Sequence, residues 1–264
     1  MTAEAALETL ILGAWRAELH ARLGSTNDRA RELAVAGDVG RVWVVADEQL
    51  SGRGRHERVW TSPPGNLYAS ALILDPCPIA LGAEIGFVAG VAAQRACADL
   101  GVTSARLKWP NDLQVGGAKL AGLLVEGLTT PQRRFAAIVG IGVNVASAPQ
   151  VPAYPTTSLS QLAGRPITAR ALFERLAARF EESLGVWARG AGFSAIRESW
   201  LAAAAGLGGP IRVNDAKGAR EGRFAGLDER GRLKLERDGV MEIIESADLT
   251  LISAPSGATE GVRA

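Results

Sequence analysis

Cysteine is almost missing from this 264-residue chain: Cys77 and Cys97 are the only two, and neither has neighbours at metal-ligand spacing. A disulfide framework has no basis here, so buried free thiols and a reducing compartment are expected. Histidine is equally scarce, at His20 and His56, which removes any multi-histidine metal site. No apolar run reaches the ~18 residues that a membrane span requires. Met1 to Leu12 carries Glu4 and Glu8 without a cationic start, which argues against a signal peptide and for a cytoplasmic protein. Neither sign of charge dominates: 29 Lys and Arg face 28 Asp and Glu, for a net charge of +1. Proteins built around nucleic acid usually carry a strong basic excess, so any basic cluster here is a local device.

Common signatures are absent too. No segment matches the Gly-x-x-x-x-Gly-Lys-Ser/Thr phosphate loop. The dinucleotide pattern Gly-x-Gly-x-x-Gly fails at Glu57 after Gly52 and Gly54, and at Val145 after Gly140 and Gly142. There is no Gly-x-Ser-x-Gly elbow for a hydrolase nucleophile.

What is present is a composition that can bury a sizeable core, 47% hydrophobic and 22% charged, in a length suited to one large domain with a small appendage. Residues 3–12 are rich in Ala and Leu and read as a short helix. Ser25 or Thr26 can cap a helix running to about Val35, with Asp28 favourable in its first turn. Val42–Ala46 and Leu67–Leu74 read as strands, residues 80–100 as a buried helix stopped at Gly101, and Arg106–Trp109 as a strand cut off by Pro110. Gly116-Gly117 suits a hairpin turn, after which Leu120–Glu126 and Phe135–Val145 pair as strands. Thr168 caps an amphipathic helix to Trp187. Strands and helices mix without strict alternation, which predicts an α+β fold. Beyond Gly206 short apolar runs (Ile211–Val213, Gly222–Gly226, Leu233–Leu235, Met241–Ile244) suggest a small β-barrel, and the tail from Ser253 reads as frayed.

Two segments carry the chemistry. Gly52-Arg53-Gly54-Arg55-His56-Glu57-Arg58-Val59-Trp60 interleaves three arginines and an indole with glycine. Guanidinium forks bind phosphate and carboxylate, indole stacks on flat heterocycles, and glycine lets backbone approach a ligand. The second is Lys108-Trp109-Pro110-Asn111-Asp112, followed by Lys119-Leu120-Ala121-Gly122-Leu123-Leu124-Val125-Glu126.

With Gln49 and Gly140–Val145, these segments resemble biotin protein ligases, in matching order over roughly residues 20 to 250. The resemblance implies a mixed-sheet, class II synthetase-like catalytic domain over 1–206, an SH3-like barrel over 207–253 and a flexible tail over 254–264. It implies joining of biotin to AMP with ATP and Mg²⁺, then transfer of the biotinyl group to a lysine of a biotin carboxyl carrier domain. Lys119, Arg53 and Arg55 are its implied catalytic residues. Ser25, Thr26, Asn27, Gln49, Gly54 and Gly122, with the same three, would hold biotin. Arg58, Trp60, Asn111 and Asn144, with Arg55 and Lys119, would hold the nucleotide, and Asp112 would assist the incoming lysine. Mg²⁺ would be held by phosphates and water, not by a protein-only cage.

Only 24 residues precede Ser25, so the expected type is the single-function one, without the N-terminal DNA-binding repressor domain. A monomer or homodimer is expected, with no nucleic-acid or membrane partner. Glu57 stands where many relatives carry glycine, and Leu251-Ile252 stands where some place an arginine toward the nucleotide. Plainer readings exist for several of these residues. Trp109 suits a core, Asn144 a strand-end turn, His56 an exposed loop, and Ser25-Thr26-Asn27 a helix cap in any protein. The alternatives for the whole chain are a lipoate or octanoate ligase or transferase of the same fold, and an RNA-binding module using Arg53, Arg55 and Arg58.

Overall fold

The run Leu67–Leu74 is a strand whose two faces have different fates. Ala69, Ala71 and Ile73 enter the main core, whereas Leu72 and Ser70 point to the opposite face, as a period of two demands. This strand lies inside an eight-stranded sheet, in a computed structural model that describes residues 8–151 and 153–252.

In chain order the elements are β1 (Glu8–Leu12), β2 (Trp15–Leu23), α1 (Thr26–Val35), β3 (Val42–Gln49), β4 (Leu67–Leu74), α2 (Glu84–Asp99), β5 (Arg106–Lys108), β6 (Asp112–Val115), β7 (Ala118–Thr129) and β8 (Phe135–Val143). Then come α3 (Leu159–Ala163), α4 (Ala169–Trp187), α5 (Phe193–Ala202), β9 (Pro210–Asp215), β10 (Gly218–Leu227), β11 (Leu233–Arg237), β12 (Val240–Ile244) and β13 (Asp248–Leu251). The large sheet runs β1-β2-β3-β4-β8-β7-β6-β5; β2 and β3 are parallel across the α1 crossover and every other pair is antiparallel. This is the mixed-sheet α+β architecture expected.

Helices α2, α4 and α5 cover one face of the sheet, where Trp43 packs edge-on against Phe173 and Phe180 and tilted against Trp15. On the other face α1 is the helix that packs among the described residues, through Ala30 and Ala34 on Val42, Val44, Leu72, Ala136 and Ile138. Beyond the reach of this short helix the same face turns polar or bare: Leu72 gives way to Ser70, Ile138 to Gly140 and Gly142, and Glu126 and Gly122 continue the row on β7. A cleft opens there.

Several local readings are met closely, including β4, the Gly116-Gly117 hairpin with both residues at positive φ, and α4 with Thr168 accepting from the Ala171 amide. Residues 8–12 are a correction. They form a strand rather than part of a helix, because Gly13 at φ 61° turns the chain back and pairs Leu12 with Trp15. The rest of that expected helix, in residues 1–7, lies outside the described residues, as does the tail from Ser253. Ser25 sits at the cap position of α1, but its hydroxyl makes no capping bond. The strand β2 and the helices α3 and α5 were not anticipated.

The C-terminal strands form a five-stranded antiparallel sheet in the order β12-β11-β10-β9-β13. Its side chains Ile211, Val213, Phe224, Leu233 and Leu235 join the main core. The Trp109 indole donates to the Gly231 carbonyl at 3.1 Å, and Leu107 exchanges backbone bonds with Ala203 and Ala205. Trp109 is thus a core residue that stitches the two sheets together. Cys77 and Cys97 are both buried and free, and burial pushes the Cys97 thiol up to about 12.

Candidate functional site

The cleft has a volume of about 460 Å³ and lies on the bare face of the large sheet, roofed by the Gly52–Trp60 loop and flanked by β13. It is lined by five cations (Arg53, Arg55, Arg58, Lys108 and Lys119) against two carboxylates (Asp112 and Asp248). An anionic ligand would therefore meet a positive field at low local dielectric.

At the α1 end the site is a hydrogen-bond network of uncharged side chains that ends on the Glu126 carboxylate. Gln49 Oε1 accepts from the Thr26 amide at 2.9 Å and its hydroxyl at 3.1 Å, while Gln49 Nε2 donates to Ser62 Oγ at 3.2 Å. Ser70 Oγ reaches Thr26 Oγ1 at 2.7 Å and Asn27 Oδ1 at 2.6 Å. Asn27 Nδ2 donates to Glu126 Oε2 at 2.7 Å. Ser25, Thr26 and Asn27 are buried and line the cleft.

The three loop arginines, alike in sequence, have different environments. Arg53 forks onto Asp28 at 2.9 and 2.7 Å and also donates to Glu126 at 3.2 Å, and the Asp28 bond chiefly raises its pKa. Arg58 pairs with Asp248, which raises the arginine's pKa and lowers that of the aspartate. Among the described residues Arg55 has only neutral hydrogen-bond partners: Ser246 Oγ at 2.8 Å, Asn111 Oδ1 at 3.4 Å and the Ala247 carbonyl at 3.5 Å. Desolvation lowers its pKa, though a guanidinium stays charged. His56 and Glu57 are exposed and consecutive at φ 54° and 55°. Glu57 therefore occupies left-handed backbone, at a cost of about 1–2 kcal/mol that glycine would avoid.

Lys119 reaches the cleft because of a β-bulge. Asp112 pairs with Gly122 and Leu113 with Ala121, but Gln114 pairs with Lys119, leaving Leu120 as the extra residue. Regular alternation would put Lys119 on the helix-covered face with Ala121 and Leu123. The bulge instead buries Leu120 and Ala121 together and turns Lys119 toward Asp112. Lys119 Nζ stands 2.7 Å from Asp112 Oδ1, with Lys108 Nζ 3.9 Å from Oδ2 across the β5–β6 hairpin. Burial lowers the Lys108 pKa, and the neighbouring Lys119 adds to the effect. The Lys119 ammonium also lies 5.4 Å from the Trp60 ring centre and 5.3 Å from that of Tyr154, within cation–π range.

Trp60 rests on glycine. A Cβ at Gly142 would stand 2.7 Å from its Nε1, and one at Gly122 would stand 3.2 Å from Cζ3. Asn111 Nδ2 donates to the Leu123 carbonyl at 2.7 Å, leaving Oδ1 toward Arg55.

Of the residues expected at the site, Ser25, Thr26, Asn27, Gln49, Arg53, Gly54, Arg55, Arg58, Trp60, Asn111, Asp112, Lys119 and Gly122 all line this one cleft. Asn144 does not. It is buried at the end of β8, its Nδ2 3.5 Å from the Lys119 carbonyl, and lines a smaller depression behind Trp60 with Tyr154 and Thr156. Sequence reasoning missed Ser70, Asp28, Glu126, Gln114, Tyr154 and Asp248. Glu126 carried a signal, since it closes the Lys119–Glu126 motif with the same parity as Gly122. The remaining residues carried none.

The family model for the Biotin/lipoate A/B protein ligase family matches residues 20–144, and that for the Biotin protein ligase C terminal domain matches residues 206–249. A biotin–[acetyl-CoA-carboxylase] ligase of Paracoccus denitrificans is 38% identical over 240 residues, covering 87% of this chain and 98% of that one. The bifunctional ligase/repressor BirA of Bacillus subtilis is 34% identical, over 88% of this chain and 73% of its own. Among solved structures, the biotin protein ligase of Aquifex aeolicus in complex with biotin and ATP matches at TM-score 0.76 and 25% identity, covering 89% of this chain and 99% of that one. The Leishmania major enzyme in complex with biotinyl-5-AMP matches at TM-score 0.59 and 26% identity, over 85% and 96%.

Proposed function

The chain belongs to the biotin protein ligase family and biotinylates a carrier lysine with ATP through biotinyl-5′-AMP; we propose that both half-reactions occur in this cleft. Residues 1–206 are taken as the catalytic domain and 207–253 as its C-terminal unit. The observation that carries the reading is the bulge that sets Lys119 beside Asp112 at the cleft floor, across from Arg55, the arginine with neutral partners only.

In the first step a biotin carboxylate oxygen bonds to the α-phosphorus of ATP and the bond to the bridging oxygen breaks, releasing pyrophosphate. Two anions must meet, so fixed cations lower the barrier more than the ground state. Lys119 and Arg55 fill that role, and Lys108 adds charge at the same end. Thr26, Asn27 and Gln49, with Ser25, offer donors and acceptors suited to the polar ring of biotin, and Gly54 and Gly122 allow close approach. Trp60 and Asn111 take the nucleotide, Arg58 serves the same pocket from its ion pair with Asp248, and Asn144 acts by holding the Lys119 carbonyl. Arg53 is spent on Asp28 and Glu126, so it serves as a positioning residue for the loop rather than as a direct charge on the ligand.

In the second step the carrier lysine amine attacks the acyl carbon, the acyl–phosphate bond breaks and AMP leaves. The amine must shed a proton, and Asp112, the carboxylate beside Lys119, is assigned to accept it.

Among the described residues no group of three or more His, Cys, Asp or Glu could hold a metal, and both Asp112 oxygens face lysines. A Mg²⁺ ion that arrived on the triphosphate would supply charge neutralisation there, held chiefly by phosphate and water. The carrier substrate is the biotin-accepting domain of a carboxylase. No described helix is long and apolar enough to cross a membrane. The near-neutral charge supports the reading without a nucleic-acid partner, and the proposed form is a cytoplasmic monomer or homodimer.

The test is pyrophosphate exchange into ATP, with biotin, lipoate or octanoate supplied separately and no carrier protein. Exchange with biotin alone is expected, falling on the order of 10²–10³-fold in Lys119→Ala with the fold unchanged. Exchange driven by lipoate or octanoate would overturn the substrate assignment.

A further inference from the structure

Arg55 and Arg58 are two ends of one hydrogen-bonded turn: the Arg58 amide donates to the Arg55 carbonyl at 3.3 Å, and the Gly54 amide donates to the Arg58 carbonyl at 2.8 Å. Val59 bridges back to Arg53, and the Trp60 amide donates to the Gly52 carbonyl at 2.9 Å. These bonds tie both arginines into one turn, so whatever holds Arg58 also bears on the place of Arg55.

Arg58 is held by Asp248, one guanidinium nitrogen on each carboxylate oxygen. Asp248 begins β13 and pairs in register with Asn214 on β9, so its backbone belongs to the C-terminal sheet. Ser246 and Ala247, immediately before it, take the Arg55 guanidinium. The roof of the cleft is therefore fastened to the C-terminal sheet by three consecutive residues.

We propose that Asp248 is a positioning residue for the ligase reaction, fastening the Arg55–Arg58 turn to the C-terminal sheet so that Arg55 stays over the cleft and water is kept from the adenylate. The inference rests on the assignment of this cleft to biotinyl-5′-AMP. A mixed anhydride hydrolyses when water reaches its acyl carbon, so the firmness of the roof sets how much intermediate is lost before a carrier arrives.

Asp248→Asn keeps the shape and removes the charge at a half-exposed position, so the fold should be unaffected. The measurement is AMP formed per carrier lysine biotinylated by the purified full chain, alongside the KM for ATP and the Kd for biotin. The ratio and the KM are expected to rise about two- to fivefold, as loss of an exposed ion pair allows, with biotin affinity unchanged. Asp248→Glu should restore both. In the wild type the ratio should climb with added NaCl, and in Asp248→Asn it should stay nearly flat, because the salt-sensitive contact is already gone. An unchanged ratio in Asp248→Asn, or a rise accompanied by weaker biotin binding or a lower Tm, would overturn the proposal. Absence of biotin-dependent pyrophosphate exchange in the wild type would instead overturn the functional reading beneath it.

Discussion

Arg53 and Arg55 are separated by one glycine, yet one is neutralised by two carboxylates and the other has only neutral partners. A guanidinium fork loses its geometry when replaced by an ammonium, so Arg53→Lys should loosen the loop without removing charge. Biotin affinity in Arg53→Lys is expected to fall on the order of tenfold, about the value of one charge-assisted hydrogen bond, measured by calorimetric titration. Glu126→Gln should weaken binding less, because the Gln oxygen can still accept from Asn27 and Asp28 still holds Arg53. A larger loss in Glu126→Gln than in Arg53→Lys would contradict this hierarchy.

Among the elements, the glycine positions on β7 and β8 form the floor on which Trp60 lies. Gly142→Ala would place a methyl 2.7 Å from the indole Nε1, and β8 is held between its neighbours β4 and β7. The KM for ATP should rise several-fold while Tm changes little, as steady-state kinetics and thermal melts would show. A second element contact joins α2 to α4, where the Trp187 indole donates to the buried Glu84 carboxylate at 2.6 Å. Burial raises the Glu84 pKa, partly offset by that bond. Glu84 therefore holds its proton more tightly folded than unfolded. Its contribution to stability is complete below the usual carboxylate range and is lost as pH rises through its elevated value. Between pH 4 and 7 Glu84→Gln should show a shallower decline of Tm with pH than the wild type, because the amide keeps the hydrogen bond and never ionises. Parallel curves for the two proteins would exclude Glu84 as the source.

Across the whole molecule the two sheets share a core, and Trp109 supplies a polar stitch between them. Trp109→Phe keeps most of the ring but strands the Gly231 carbonyl, for an expected cost of about 1–3 kcal/mol, seen as a lower denaturation midpoint in urea. Gly231 sits at φ 78°, with the Phe87 ring where a Cβ would stand. The same packing carries the C-terminal sheet to the cleft rim, where β13 supplies Asp248 to the roof.

Much of this was legible in the chain itself. Period-two and period-3.6 patterns depend only on neighbours in sequence, so β4, α4 and the Gly116-Gly117 hairpin could be read directly, and the coupled Arg/Gly and Lys-Trp-Pro-Asn-Asp segments pointed to the family. The strand Glu8–Leu12 was misread as helix because five residues of an edge strand carry too little pattern to outweigh Ala and Leu composition. Which arginine lacks a carboxylate partner among the described residues, why Asn144 stands outside the main cleft, and which carboxylates surround the loop were decided only by the tertiary structure. Residues as distant as Asp28, Glu126 and Asp248 had to be brought together by sheet pairing. Lys119 shows the division most clearly. Its identity and motif are in the sequence, but strict alternation along β7 would bury it among helices. Only the unpaired Leu120, whose side chain the core accepts, turns that lysine into the cleft.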